Sequence, residues 1–574
     1  MWYVGRIVVA AVVVYLLLLM PESGGHLEGV QELPAKKQPF AWNQDAYWKA
    51  LEAKYRELRQ NGCAGAEDKV RSDLEGMGEI LQRINLQDLG PDAPEFSELE
   101  IRTFRIAPLV SACTTNLDRY INFVSSMRAA VKRQSEHWDM KDDASRTTLY
   151  RLLYGSRGAI EEVMVQAPAG SFSKLVGGSD EPSATPSTIV RTVHIHSRDI
   201  LVSRGGAPTS ALIARGNDYP GNFSHIALVY VDPATKEAKV VESHIEIGVV
   251  VSTVEQYLAD KKLRVMLLRP RVDLPQIVKD PMLPHKAAEY AYKRATSGHV
   301  PYDFAMDYKD HSKLFCSEVA SEAYERFGLN LWTGVSHISS PGLRRWLAAF
   351  GVRHFETQEP SDLEYDPQMR VVAEWVDPET LKKDRLDNAV TDVMLEGAER
   401  GDEIMYKRYL LPLARLLKGY SLLLNRFGKA GPIPEGMSAP TALRTQDYMD
   451  KHEAIGKRLA IKAAQYKKDH GYEAPYWVLV SLAREAEKEI KIAYFSDPGG
   501  KSLQIIELRI PGNEAFRRRG HSLQYKCSSF QLTKGPMWVR TGRHTRKTSS
   551  TERMRRCTTS SAAIDRGVAT RKRT

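Results

Sequence analysis

Residues 224–230 read Ser-His-Ile-Ala-Leu-Val-Tyr and residues 314–320 read Leu-Phe-Cys-Ser-Glu-Val-Ala, and these two stretches decide the fold. The first predicts a strand that begins at His225. The second predicts a helix that begins at Cys316, with the cysteine on its apolar stripe. A thiolate is favoured by the positive end of a helix dipole and by a neighbouring imidazole. Cys316 and His225 are therefore candidates for a nucleophile and its base. The alternatives are a buried structural cysteine and a hydrogen-bonded histidine at a strand end.

Short segments rich in Val, Ile and Leu, divided by turn-forming residues, surround the two motifs and predict further strands. The predicted strands are 190–195, 199–203, 225–232, 239–245, 263–268 and 369–375. The predicted helices are 284–296, 316–327 closed by Gly328 as a C-cap, and 341–350. Together they predict an α+β catalytic domain over residues 190–376.

Two mainly helical regions flank this domain. Apolar residues recur at helical spacing over residues 40–166 and again over residues 377–495. Residues 167–189, rich in Gly, Ser and Pro, predict a linker. Within the helical run 398–417, Pro412 predicts a kink or a division of the helix.

The N-terminal segment, residues 1–25, predicts export. Arg6 precedes an uninterrupted apolar run from residue 7 to residue 20, which fits a signal peptide or an uncleaved N-terminal membrane anchor. We expect a location in the cell envelope, either periplasmic or anchored to the membrane. Export permits disulfides, so Cys63 and Cys113 form either a bridge or two separate buried thiols.

The net charge of +10 over 574 residues comes from the C-terminal tail. Residues 521–574 carry thirteen Lys or Arg against Glu552 and Asp565, a charge of +11, which leaves the rest of the chain at about −1. No specific nucleic-acid partner is expected. Residues 511–574 show neither structural period and predict a basic, disordered tail.

Five motifs in order resemble the YiiX/YebB-like hydrolases, the circularly permuted branch of the NlpC-type, papain-like cysteine hydrolases. They are the two stretches above with Arg-Asp-Ile-Leu-Val-Ser-Arg from residue 198, Val-Val-Glu-Ser from 240 and Pro-Tyr-Asp-Phe from 301. The resemblance covers about a third of the chain and implies a permuted papain-like domain. In that branch the histidine strand precedes the cysteine helix, which is the order found here. Arg198 stands where the family has a glycine, so the tight turn before that strand is in question.

The resemblance also implies roles for individual residues. Cys316 is the nucleophile, His225 the general base, Glu242 the group that orients His225, and Tyr302 a neighbour of the nucleophile. Glu246 and His244 compete with Glu242 for the orienting role, and Tyr302 is alternatively a packed aromatic residue.

The implied reaction is hydrolysis of an amide bond through a thioester, in a peptide, a cell-wall peptide or an N-acylated small molecule. The alternatives are a lipid-directed acyl hydrolase or acyltransferase and a non-enzymatic envelope scaffold. His194 and His196 alternate on a strand, but no further ligand lies at an established metal spacing. No phosphate-binding loop or other cofactor motif is present. We therefore expect no metal and no cofactor.

Overall fold

A computed structural model describes residue 6 and residues 12–20, 45–427 and 429–496. The predicted tail, 511–574, and most of the N-terminal segment lie outside these residues. The described residues belong to one compact unit. No helix among them is both long and apolar enough to cross a bilayer.

The N-terminal region is helical, as predicted. Its helices are α1 Asp45–Asn61, α2 Ala66–Leu86, α3 Pro94–Ala112, α4 Leu117–Gln134, α5 Asp143–Tyr150 and α6 Ser156–Gln166. Gly62 takes a φ of 83° after α1, a left-handed conformation that glycine adopts without strain, and α1 ends there. Cys63 and Cys113 form a disulfide, with Cα atoms 5.8 Å apart. The bridge joins the start of α2 to the end of α3.

The described strands of the central region are β1 Leu175–Gly177, β2 Ser187–Val190, β3 Val193–His196, β4 Ile200–Gly205, β5 His225–Val231, β6 Ala238–His244, β7 Gly248–Thr253, β8 Lys262–Pro270, β9 Ser336–His337, β10 Glu356–Thr357 and β11 Met369–Val376. Seven of them form an antiparallel sheet in the order β1-β11-β8-β4-β5-β6-β7. The other four form two small two-stranded sheets, β2 with β3 and β9 with β10. The helices are α7 Pro208–Arg215, α8 Val254–Ala259, α9 Pro275–Lys279, α10 Leu283–Ser297, α11 Glu318–Glu325, α12 Pro341–Ala349 and α13 Asp362–Tyr365.

Both faces of the sheet are covered, which explains why β5 is almost continuously apolar. On one face Ile226 and Leu228 of β5 pack with Ala320 of α11 and Ala288 of α10. On the other face Ala227 and Val229 join a second apolar cluster. The cysteine-bearing segment is thereby held against the strand that carries His225.

Several local predictions were wrong in their details. The predicted strand 190–195 is a hairpin of β2 and β3 that turns at Arg191, whose φ is 56°. The predicted linker contains β1, which pairs with β11 at the sheet edge. Strand β7 and helix α7 were not predicted. The cysteine helix begins at Glu318, two residues after Cys316, and Gly328 follows its end with a φ of 80°, as the predicted C-cap requires.

The C-terminal region forms four helices, namely α14 Pro378–Glu399, α15 Leu411–Arg426, α16 Ala439–His470 and α17 Tyr476–Ser496. The predicted run 398–417 is not one helix, because α14 ends at Glu399 and Pro412 lies in the first turn of α15. This confirms the predicted division, and proline is tolerated there because a first-turn N–H has no partner within the helix.

Buried ion pairs join both helical regions to the sheet. Arg264 of β8 pairs with Glu161 of α6 and with Asp384 of α14. Arg157 of α6 lies 2.6 Å from Glu364 of α13. A buried charge is costly unless it is paired, so these contacts tie the relative placement of the three regions together.

Candidate active site

His225 and Glu242 meet because β5 and β6 pair in antiparallel register. Ala227 faces Glu242 across the two strands, which brings the side chain two residues earlier within reach. His225 Nε2 lies 2.8 Å from Glu242 Oε2. Ser252 of β7 donates its hydroxyl to Glu242 Oε1 at 3.1 Å. The Glu242 carboxylate, 3% exposed, is thus fixed from two sides and holds the imidazole.

Cys316 lies in the turn directly before α11 and is 6% exposed. Its Sγ donates to the carbonyl oxygen of Ser224 at 3.9 Å, and the backbone N–H of Ile226 favours the thiolate. These two residues flank His225 in sequence. The thiol therefore rests against the backbone on both sides of the predicted base.

The cysteine segment is positioned by the same hairpin that carries Glu242. Ser243 of β6 donates its hydroxyl to the carbonyl oxygen of Leu314 at 2.6 Å. The backbone N–H of Leu314 donates to the carbonyl oxygen of Pro301 at 3.0 Å. The histidine hairpin, the segment before Cys316 and the segment before Tyr302 are thus linked by direct hydrogen bonds.

The protonation states follow from burial. Burial lowers the pKa of His225 to about 4, although the hydrogen bond to Glu242 opposes this shift. Burial raises the pKa of Cys316 to about 12, and the Ile226 N–H acts in the opposite direction. Hydrogen bonds from His225 and His244 hold the pKa of Glu242 well below its ordinary value despite burial. At neutral pH the site holds a neutral thiol, a neutral imidazole and a carboxylate.

The two competitors for the orienting role occupy different positions. His244 Nε2 lies 3.2 Å from Glu242 Oε1, so it binds the same carboxylate as His225 through the other oxygen. This partner raises the pKa of His244 against the effect of burial. Burial raises the pKa of Glu246, so its carboxyl group ionises less readily. The carboxylate that contacts His225 is that of Glu242.

Tyr302 is partly buried near Cys316, and its ring packs edge-on against Phe304 at 5.1 Å. Asp303 shapes the loop that follows, because its carboxylate accepts the N–H groups of Ala305 at 3.0 Å and Asp307 at 2.7 Å. Burial raises the pKa of Tyr302 well above its ordinary value, and the nearby Cys316 adds to the shift. Its hydroxyl is thus a proton-bearing donor.

Two buried carboxyl groups near Cys316 were missed by the sequence reasoning. Glu318, in the first turn of α11, accepts the N–H of Phe315 at 2.8 Å, and burial raises its pKa to about 9. Burial raises the pKa of Glu359 well above its ordinary value, and one of its oxygens has no partner among the described residues. Glu318 is therefore neutral at pH 7 and adds no negative charge beside the sulfur, and the raised pKa of Glu359 acts in the same direction. A lone Glu in a loop carries no pattern that would have marked it.

Asp199 and Arg198 belong to the scaffold. Arg269 of β8 binds Asp199 at 2.7 Å, and Asp199 accepts the N–H of His196 at 2.8 Å. Tyr324 donates its hydroxyl to the carbonyl oxygen of Arg198 at 2.7 Å. The turn before β4 is therefore built without the glycine of the family motif.

The group able to hold a metal ion is not the histidine pair singled out in the sequence. His194 contacts Ser187 at 3.2 Å, and His196 contacts the carbonyl oxygen of Thr185 at 3.4 Å. In the part of the chain that the structure describes, His225, Glu242 and His244 form the one such group, with ligand atoms within 4.8 Å of one another. The same atoms already satisfy each other through the contacts described above.

Comparison with known proteins identifies the domain. The family model for permuted papain-like amidases, the YaeF/YiiX or C92 family, matches residues 199–373. A crystal structure of the metalloprotein yiiX from Escherichia coli O157:H7 is similar at 19% identity over 32% of this chain and 98% of that one, with a TM-score of 0.26. No curated protein matches the chain. Residues 199–373 therefore match the permuted papain-like amidases, which indicates a papain-like hydrolase of the amidase and peptidase type in this part of the chain.

Proposed function

We propose that the chain hydrolyses an amide bond through a thioester on Cys316, with His225 as general base and Glu242 as its orienting carboxylate. The observation that carries the proposal is the 2.8 Å contact of His225 Nε2 with Glu242, together with the contact of the Cys316 thiol with the carbonyl oxygen of Ser224, the residue before His225. Because Glu242 occupies Nε2, Nδ1 is the ring nitrogen left to take the thiol proton.

The reaction proceeds in two balanced steps. Sγ of Cys316 attacks the carbonyl carbon while His225 takes the thiol proton, and collapse of the tetrahedral intermediate breaks the C–N bond as His225 returns that proton to the leaving amine. Water then attacks the thioester, with His225 again as base, and yields a carboxylic acid and the free thiol. Glu242 stabilises the imidazolium that forms in each step.

In the resting state both the thiol and the imidazole are neutral. A thiol with a pKa of about 12 beside an imidazole with a pKa of about 4 stays neutral in the absence of substrate. Proton transfer therefore accompanies attack and does not precede it. In this proposal the backbone N–H of Cys316 and the Tyr302 hydroxyl donate to the developing oxyanion.

The substrate class is an amide in a peptide, a cell-wall peptide or an N-acylated small molecule. Residues 1–25 would direct the domain to the cell envelope, and the Cys63–Cys113 disulfide supports an oxidising compartment. A reporter fused after residue 25 tests the location, and a reporter that stays in the cytoplasm would refute it.

Competitive labelling with thiol-reactive acyl probes tests the activity. A peptide-type and a lipid-type acyl probe are offered to the exported protein, and the modified residue is identified by mass spectrometry. The proposal predicts labelling at Cys316 by the peptide-type probe and none in Cys316→Ala. Preference for the lipid-type probe would favour the acyl hydrolase alternative, and no labelling would favour a scaffold.

A further inference from the structure

Helix α15 carries an apolar stripe that nothing in the described structure covers. The outer stripe consists of Leu413, Leu416, Tyr420, Leu423 and Phe427, spaced by three and four residues, and each side chain is at least 45% exposed. A row at this spacing lies on one face of a helix. The opposite face is already buried, which makes α15 apolar on both sides.

The concentration of exposed apolar side chains here is unusual for this chain. Of the 22 large apolar residues that are exposed in the described structure, fifteen lie in residues 12–20 and 405–427. The remaining seven are scattered over six other helices and strands or their loops, which is ordinary for a protein surface. The two segments with many exposed apolar residues, 12–20 and 405–427, are in contact, because Arg415 of α15 donates to the carbonyl oxygen of Leu18 at 2.8 Å.

The segment that carries the outer stripe has charge of one sign between Glu403 and Glu435, the acidic residues at its two borders. Residues 404–434 contain six cationic side chains and no Asp or Glu, namely Lys407, Arg408, Arg415, Lys418, Arg426 and Lys429. The chain up to residue 520 is close to neutral as a whole, so this is a local basic surface. An amphipathic helix with Leu and aromatic residues on its open face and flanking Lys and Arg fits the boundary between headgroups and acyl chains.

We propose that α15 docks on an anionic lipid bilayer, with the outer stripe inserted among the acyl chains and the exposed cations against the headgroups, namely Lys407, Arg408, Arg426 and Lys429. A second copy of the chain fits less well, since two-fold pairing would bring the same basic surface against itself. Within the described part of the N-terminal segment, residues 12–20 are not the cover, because residues 12–17 and the outer stripe remain about half exposed although the two segments touch.

This placement would hold the catalytic domain next to the lipid surface. The inner face of α15 packs in a cluster with Ile245, which follows β6, and Phe304, which contacts the Tyr302 ring. Lys418 donates to the carbonyl oxygen of Pro434 at 2.8 Å and fixes the following loop. The membrane-facing helix and the active-site loops therefore form one packed unit, whatever bond the enzyme cleaves.

Depth-sensitive fluorescence in the full-length protein tests the proposal separately from the N-terminal segment. Tyr420→Trp is mixed with vesicles of phosphatidylcholine and phosphatidylglycerol that carry bromine-labelled acyl chains, and the parent signal is subtracted. We expect at least half of the added emission to be quenched, and less with phosphatidylcholine alone or at high salt. Ile461→Trp, at a position 69% exposed on α16, is the matched control and should not be quenched.

Leu416→Glu combined with Leu423→Glu in the Tyr420→Trp protein should abolish the quenching, and an unchanged circular dichroism spectrum verifies its fold. Absence of quenching at position 420, or equal quenching at position 461, would overturn the proposal. A dimer that forms without lipid and dissociates in the double variant would overturn it in favour of a second copy as the occupant.

Discussion

Replacing Glu242 with Gln tests the orienting role most sharply, because the substitution keeps the shape of the side chain and removes its charge. The imidazolium formed during catalysis would lose a charge-assisted contact of 2.8 Å. Hydrogen bonds to charged groups contribute about 1.5–3 kcal/mol, and about 1.4 kcal/mol corresponds to tenfold in rate. We therefore expect kcat to fall about 10- to 150-fold with little change in KM.

Steady-state kinetics with the best amide substrate gives kcat and KM for three matched variants. Glu246→Gln, a neighbouring carboxyl whose pKa is raised by burial, should change kcat less than about threefold. Ser252→Ala removes one hydrogen bond to Glu242 and should have an intermediate effect. A loss in Glu246→Gln equal to that in Glu242→Gln, or no loss in Glu242→Gln, would refute the assignment of Glu242.

Three further predictions concern His225, Glu318 and the Cys63–Cys113 disulfide. Since His225 must be neutral to act as a base, kcat/KM should fall with acid around pH 4, and a midpoint near the ordinary histidine value of about 6.5 would contradict its burial. In the folded chain Glu318 keeps a proton that the unfolded chain releases. Between the ordinary carboxyl pKa and about pH 9, the free energy of unfolding should therefore fall with rising pH, by about 1.4 kcal/mol per pH unit. Glu318→Gln should flatten this slope in urea titrations, and an unchanged slope would count against the assignment. The Cys63–Cys113 bridge closes a 50-residue span, for which chain entropy gives about 4 kcal/mol. Cys63→Ala with Cys113→Ala should lower the free energy of unfolding by a similar amount, and no change would show that the bridge does not constrain the unfolded chain.

The local sequence was enough to predict the strand of His225 and the strand of Glu242, because both are rich in Val, Ile, Leu or Ala between turn-forming residues, and the cysteine-bearing segment, because it has an apolar stripe at helical spacing. The start of the cysteine helix was placed two residues early. The N–H groups of Ala320 and Ser321 reach back to the carbonyl oxygen of Ser317, so Cys316 remains in the preceding turn. Residue type alone does not distinguish that turn from a first helical turn.

Other features depend on contacts between distant segments. Glu359 is near the nucleophile because Ser361 hydrogen-bonds the backbone of Phe223 through its hydroxyl, 138 positions away. Strand β1 was hidden in a Gly- and Ser-rich stretch and exists only as an edge partner of β11. The predicted domain boundaries stay predictions. Arg264 of the central region forms buried ion pairs across two of them, with Glu161 in the N-terminal helical region and with Asp384 in the C-terminal helical region.

The most direct test of the central claim is the acyl-enzyme itself. The full-length protein is mixed with the p-nitrophenyl ester of an N-acetylated amino acid, quenched in acid within the first turnover, and the acylated peptide is identified by mass spectrometry. The account predicts a burst of about one equivalent of p-nitrophenol, an acyl group on Cys316 that hydroxylamine removes, no burst in Cys316→Ala and a much slower one in His225→Ala. An acyl group on another residue, or an undiminished burst in Cys316→Ala, would contradict it.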